Sequence, residues 1–180
     1  MKSNSVFIRL AMPEDAYQWA AMLLKLDEEV EYTTFQPGER SSDMAKYIDK
    51  INATKKYPKS AIFLAVDNKI ENEKVVGYLS VEAYRNNRKC HVAIVGIGIL
   101  ESYYSRGIAS NFCIELIKHA KTNKLKRIEA HIARSNYKSI ALAKKFGFIK
   151  EGIKKNAIKI NGTYEDEYLM VLEIEVLHHE

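Results

Sequence analysis

The chain alternates short apolar blocks with stretches of helical spacing. VFIRLAM, Val6 to Met12, predicts a short strand. Pro13, Glu14 and Asp15 then open a helix, with proline and acids where the helix dipole favours them. Ala16, Trp19, Ala20, Leu23 and Leu24 follow at helical spacing and mark its core face. EEVEYTTFQPGER reads as a loop, and SSDMAKYIDKINAT as a second helix behind a Ser or Asp cap. Ser60 to Asp67 and Lys74 to Tyr84 read as adjacent antiparallel strands joined by a polar turn. NNRK turns the chain into HVAIVGIGIL, which is apolar on both faces and therefore predicts a strand in the middle of a sheet.

From Ile108 the period changes, and Ile108, Phe112, Leu116, Ile117 and Ala120 mark one face of a helix. KRIEAHIA, Lys126 to Ala133, is again a strand, and SNYKSIALAKKF a helix ending at Gly147. After the next strand, INGTY signals a hairpin turn into a last strand, YEDEYLMVLEIEV. The order β, α, α, β, β, β, α, β, α, β, β places three antiparallel strands before a β-α-β crossover. The fold class expected is α/β (α+β), a mixed and mostly antiparallel central sheet with helices on its faces.

A length of 180 residues suits one domain over 1–180, able to bury a core without staples. Hydrophobic residues at 47% and charged residues at 28% are those of a soluble globular chain. Cys90 and Cys113 have no metal-type spacing, so no metal is expected; they read as reduced thiols, and no motif around either marks a nucleophile. The start, MKSNSVFIRL, lacks the apolar core of a secretory signal. The longest apolar run, Val92 to Leu100, falls far short of the roughly 20 residues that cross a bilayer, so a cytoplasmic location is expected. The histidine pair in the closing LHHE reads as solvent-exposed. A net charge of +5 fits an anionic partner: nucleic acid, membrane surface or a phosphorylated cofactor.

SYYSRGIAS, residues 102 to 110, narrows that choice. A buried strand running through a glycine turn into a helix presents free N–H groups and a positive dipole end to an anion. Gly107 lets a ligand meet bare backbone, Ala109 keeps the next turn small, and Arg106 adds a cation. A plain loop before a core helix has the same pattern, and no G-K-[ST] is present. One strand later, Asn136 offers an amide to a peptide-like ligand, with Ser139 a turn further on. An anion cradle and an amide reader on neighbouring strand ends suit a ligand with pyrophosphate at one end and amides at the other. Coenzyme A is such a ligand.

These residues resemble the GNAT superfamily of acetyl-CoA-dependent N-acetyltransferases. YSRGIA, Tyr104 to Ala109, matches the family's phosphate loop [QR]-x-x-G-x-[GA] except at its first position. Asn136, Ser139, Ile140, Leu142, Gly147 and Phe148 match N-x-x-[SA]-I-x-L-Y-x-x-x-G-F. IRLAMPEDA is similar to the usual start, and EGIKKNAIKINGTYEDEYLM to members grouped with ribosomal-protein and polyamine acetyltransferases. The resemblance implies a sheet of about seven strands and about four helices, splayed between its fourth and fifth strands. It implies that the backbone at Ile97, Gly98 and Ile99 holds the pantetheine arm of acetyl-CoA. The amides of Tyr104, Ser105, Arg106, Gly107, Ile108 and Ala109 would hold the pyrophosphate, and Asn136 and Ser139 the arm from the facing side. Two positions depart from the family. Tyr104 replaces Gln or Arg, and Ala143 stands where many members carry the tyrosine that protonates the departing thiolate, leaving that task to Tyr137, Tyr104 or solvent.

An amine nucleophile must lose a proton, since a free alkylamine has a pKa near 10.4. Glu82 and His91 are the first candidates for the base, with Glu129 and His131 behind them; each also suits an exposed strand face or turn. Asp27 to Phe35 lies in the loop expected to cover the acceptor, so Glu28, Glu29 and Glu31 are expected to attract a cationic small-molecule or protein amine, with Glu165 to Glu167 contributing. As a solvated acidic loop the segment needs no ligand. Two rival functions are a non-catalytic acyl-CoA sensor, which Ala143 permits, and a nucleic-acid binder using RNNRK, KTNKLKR and KKNAIK. Those basic clusters fall on different elements without interleaved exposed aromatics and read as solvated surface. Self-association as a homodimer is expected by analogy with the family alone.

Overall fold

The computed structural model describes residues 5–69 and 73–175; the closing histidine pair lies outside them. β1 (Val6–Leu10) leads through a 3-10 turn at Pro13–Asp15 into α1 (Ala16–Glu29) and then α2 (Met44–Lys56). The antiparallel run β2 (Ala61–Asp67), β3 (Lys74–Ala83) and β4 (Val92–Ile99) follows. α3 (Ile108–Thr122) crosses to β5 (Arg127–Ala133), and α4 (Tyr137–Lys145) leads to the long hairpin of β6 (Ile149–Ile160) and β7 (Thr163–Glu173). All seven strands form one sheet in the order β1-β2-β3-β4-β5-β7-β6, in which only the β4–β5 pair is parallel. The expected order of elements and the mixed sheet are both found.

α1 and α2 cover one face of the sheet and meet through an edge-to-face pair of Trp19 and Tyr47. α3 covers the other, where His119 meets Phe63 edge-on and bonds the Lys59 carbonyl. Asp43 caps α2 by accepting from Ala45 N at 3.0 Å, the cap that the sequence offered. Asp15 accepts from Met12 N and takes both nitrogens of Arg9, which locks the turn from β1 into α1.

Two details differ from the sequence reading. The core stripe of α1 is Ala16, Trp19, Ala20, Leu23 and Leu26, with Met22 beside it, while Leu24 is 39% exposed. One hundred degrees per residue carries Leu24 out of a stripe centred on Trp19 and Leu23. Asp27, Glu28 and Glu29 belong to the last turn of α1 rather than to the loop, because no glycine or proline interrupts the chain before Pro37.

Candidate active site

β4 and β5 pair only from Val92↔Arg127 to Ile94↔Glu129 and then part. Beyond Ile94 one edge of β4 is therefore open. In the antiparallel β3–β4 ladder, Tyr84 N bonds Val92 O and Leu100 N bonds Val76 O. That alternation turns the main-chain groups of residues 92, 94, 96, 98 and 100 toward β3 and those of Val95, Ile97 and Ile99 toward the gap. Among the described residues, no neighbouring strand pairs with the N–H and C=O groups of Ile97 and Ile99 on that side. Gly98 differs, since its own groups serve the ladder to Tyr78.

Gly98 has another task. A Cβ there would stand 2.6 Å from Tyr78 Cε1 and would overlap Leu26 Cδ2. The missing side chain is what lets the Tyr78 ring and α1 lie against β4. Gly96, two residues earlier on the same face, lies under Ser80 Oγ and the Tyr78 hydroxyl, 3.3 and 3.9 Å from where its Cβ would be.

The gap runs toward the N-terminus of α3. Gly107 there has φ +79°, and Ser105 has φ +60°, so the loop alternates left-handed residues and turns successive amides to one side. The amides from Ser105 to Ser110 donate to no acceptor among the described residues, and a Cβ on Gly107 would meet nothing within 4 Å. This is an open cradle of positive dipole ends, the geometry a pyrophosphate needs. The loop is fixed from below: the buried Tyr103 donates to Asp67 Oδ2 at 3.0 Å, and Arg106 lies over the Tyr103 ring while donating to Ser102 O. The hydrogen bonds from Ser5, Lys69 N and Tyr103 hold the Asp67 carboxyl below its ordinary range, so it is an anionic anchor.

Across the gap, Asn136 caps α4 by accepting from Ser139 N at 3.2 Å, which leaves its side-chain NH2 and the Ser139 hydroxyl for a ligand. Lys138 brings its ammonium over the Tyr104 ring at 5.6 Å and so joins the two sides. It supplies a cation beside the loop position where the family's Gln or Arg is absent. Sequence reasoning passed over Lys138 because lysine on an exposed helix turn carries no signal of its own.

The register also places the base candidates. On the α1 side of the sheet, Glu82, Ile94 and Glu129 form one row at the point where the strands part; beyond it, Ser80 and Gly96 on one side and His131 on the other follow on the same face. Glu82 is exposed and held by Lys50 at 2.8 Å. Glu129 is held by Arg127 at 2.6 Å, and Arg127 also grips Glu151 on β6. His91 lies exposed in the turn before β4, at the closed end, about 20 Å along the strand from Ile97. His131 is exposed, has no partner among the described residues and lies on β5 two residues past its last pairing with β4.

The acidic segment is largely committed. Asp27, 5% exposed, forms a two-pronged pair with Arg40, whose guanidinium also stacks on Phe35. Glu29 accepts from Glu101 N at 2.9 Å and pairs with Lys25, which ties α1 to the end of β4. Glu31 accepts from Asn161 Nδ2 at 3.0 Å, which ties the α1–α2 loop to the β6–β7 hairpin. Glu28 has no partner among the described residues and falls on the outward face of α1. Glu165 holds Ser135, Asp166 holds Lys155, and Glu167 holds Lys154. Tyr137 is 76% exposed at the start of α4, and Cys113 is buried, its thiol pushed up to about 11 by desolvation, which leaves it inert.

The GNAT acetyltransferase domain model matches residues 8–169. The chain is 35% identical over 97 residues to the L-amino acid N-acetyltransferase AaaT of Escherichia coli, covering 53% of this chain and 60% of that protein. A second curated relative, YjcK of Bacillus subtilis, is 32% identical over 81 residues, 44% of this chain and 45% of its own. The chain thus matches about half the length of these relatives. The fold superposes on a GNAT-family acetyltransferase from Streptococcus pneumoniae with a TM-score of 0.88 at 23% identity, covering 94% of this chain and 99% of that one. It superposes on yncA of Salmonella typhimurium, solved with acetyl-CoA, with a TM-score of 0.82 at 17% identity, covering 98% and 97%. A splayed β4–β5 pair that opens onto a cradle of unpaired amides, and a domain match spanning nearly the whole chain, agree: the chain belongs to the GNAT acetyltransferase family.

Proposed function

We propose that residues 1–180 form one N-acetyltransferase domain that moves an acetyl group from acetyl-CoA to a primary amine by direct attack on the thioester. The observation that carries this reading is the run of unpaired amides from Ser105 to Ser110 at the mouth of an open β4 edge. Acetyl-CoA supplies an activated acyl group as a thioester. The loop Tyr104 to Ala109 binds its pyrophosphate with Lys138 alongside, Ile97 and Ile99 bind the pantetheine amides as an added strand would, and Asn136 and Ser139 contact the arm from α4.

The amine enters from the α1 side, under the α1–α2 loop and the β6–β7 hairpin that Glu31 and Asn161 join. Of the three glutamates, Glu31 stands at that entrance and biases it toward cations. His131 is the proton acceptor that the geometry favours over Glu82 and His91, because it is free and beside the opening. Backbone N–H groups on the β4 edge polarise the acyl carbonyl. The same reading gives a cytoplasmic enzyme, consistent with two free cysteines, and a homodimer by family analogy.

A panel of polyamines, amino acids, amino sugars and peptide N-termini, followed by release of free thiol, tests the reading. Thiol release that depends on one class of amine and falls at least tenfold in His131→Ala supports it. Tight acetyl-CoA binding with no amine-dependent release would make the protein a sensor instead.

A further inference from the structure

Position 143, where many relatives use a tyrosine, is a buried alanine, and neither Tyr104 nor Tyr137 replaces it at the centre of the cleft. Tyr104 is taken up beneath Lys138 at the phosphate loop, and Tyr137 points to solvent. A third tyrosine lies where they do not. Tyr78 rises from β3, its ring lies over Gly98 of β4, and its hydroxyl ends 3.9 Å from the Cβ position of Gly96, the next position along that face of the strand. Gly96 is the first position on this face beyond Ile94, where β4 and β5 cease to pair, so the hydroxyl stands over β4 where the opening begins. Ring and backbone are in contact because the two β4 positions beneath the ring, Gly96 and Gly98, are glycine.

The hydroxyl makes no hydrogen bond among the described residues. It is also not sealed off, since Trp19 Nε1 is the one fully buried side-chain polar atom lacking a partner among them. A tyrosine hydroxyl left unpaired on the face where β4 and β5 part is free to bond a ligand.

We propose that Tyr78 is the catalytic acid of this enzyme, donating its phenolic proton to the sulfur that leaves. This rests on the acetyltransferase reading. As the amine nitrogen bonds to the acyl carbon, the C–S bond breaks and its electron pair departs on sulfur, which takes the Tyr78 proton. The nitrogen's surplus proton passes through His131 or water back to the phenolate, so products are amide and free thiol and no further reactant is consumed. Burial raises the phenol above its ordinary value of 10.0; Arg40 opposes this, and Asp27 and Glu82 add to it. The group is therefore protonated when needed.

The test measures binding as well as rate. Coenzyme A and its desulfo analogue are titrated calorimetrically into the wild type and Tyr78→Phe, whose ring keeps its place over Gly98. A hydrogen bond to sulfur predicts that the wild type prefers coenzyme A by about fivefold and that Tyr78→Phe loses the preference while binding the analogue unchanged. With an active amine, kcat falls at least tenfold in Tyr78→Phe, and its fall at alkaline pH, present in the wild type above pH 10, disappears. Equal preference in both proteins, or an unchanged kcat profile, overturns the assignment of Tyr78. Failure of the wild type to bind either ligand overturns the acetyltransferase reading itself.

Discussion

Asn161 at the tip of the β6–β7 hairpin donates to Glu31 in the α1–α2 loop at 3.0 Å, joining segments 130 residues apart. The contact is exposed and so contributes little to stability. It spans the side of the sheet from which an acceptor reaches the β4–β5 opening, so its effect belongs to binding. Asn161→Ala is expected to raise KM for the amine a few-fold while leaving stability and acetyl-CoA affinity unchanged. Steady-state kinetics with each substrate varied in turn checks this.

Gly98 and Gly96 lie on the same strand face but are under different constraints. Gly98→Ala overlaps Leu26 and the Tyr78 ring, whereas Gly96→Ala meets Ser80 Oγ at 3.3 Å, and that hydroxyl can rotate away. Gly98→Ala is expected to cost about 1–3 kcal/mol as an overpacked site, and Gly96→Ala less than about 1. Urea denaturation of both variants should keep that order; equal costs would place Tyr78 elsewhere.

The Asp27–Arg40 pair carries a prediction of stability. The Asp27 carboxylate is almost fully shut off from water, so Arg40→Leu leaves a buried charge without its partner. The expected loss is about 3–5 kcal/mol, and Asp27→Asn/Arg40→Leu together should recover part of it.

Asp15 gives the pH dependence. Desolvation alone would raise its carboxyl, but the hydrogen bonds from Arg9 and Met12 outweigh it and leave the folded-state value below the ordinary 3.8. A carboxyl lowered by folding stabilises the protein fully above its unfolded value, and that contribution is lost as pH falls through the folded one. Urea midpoints at pH 7 and pH 3 should therefore fall further in the wild type than in Asp15→Asn.

The order of elements was legible in the sequence because each one carries its own period and punctuation: helical spacing from Ile108, Asn-Gly before β7, Pro13 ahead of α1. The glycine turn into α3 was legible for a similar reason, since Gly107 and Arg106 are local features. Tyr78 was not, because its meaning lies in a partner strand. A tyrosine in KVVGYLSVEAY is an ordinary strand residue until the register sets it over Gly98. The one available signal was the pair of glycines in VGIGIL, which a central strand tolerates only where something approaches closely. The ion pair of Glu82 was not legible for the same reason: Lys50 comes from α2, an element whose placement the linear chain does not reveal.

Calorimetric titration of acetyl-CoA into the wild type and Gly107→Trp bears most directly on the cradle at the start of α3. A side chain at 107 enters open space, so it should cost only the strain of a left-handed backbone, about 1–3 kcal/mol, and leave the fold intact. Micromolar binding in the wild type that Gly107→Trp abolishes, with matching circular dichroism, is the expected result. No binding in the wild type, or undiminished binding in the variant, would contradict it and return Gly107 to the role of an ordinary turn.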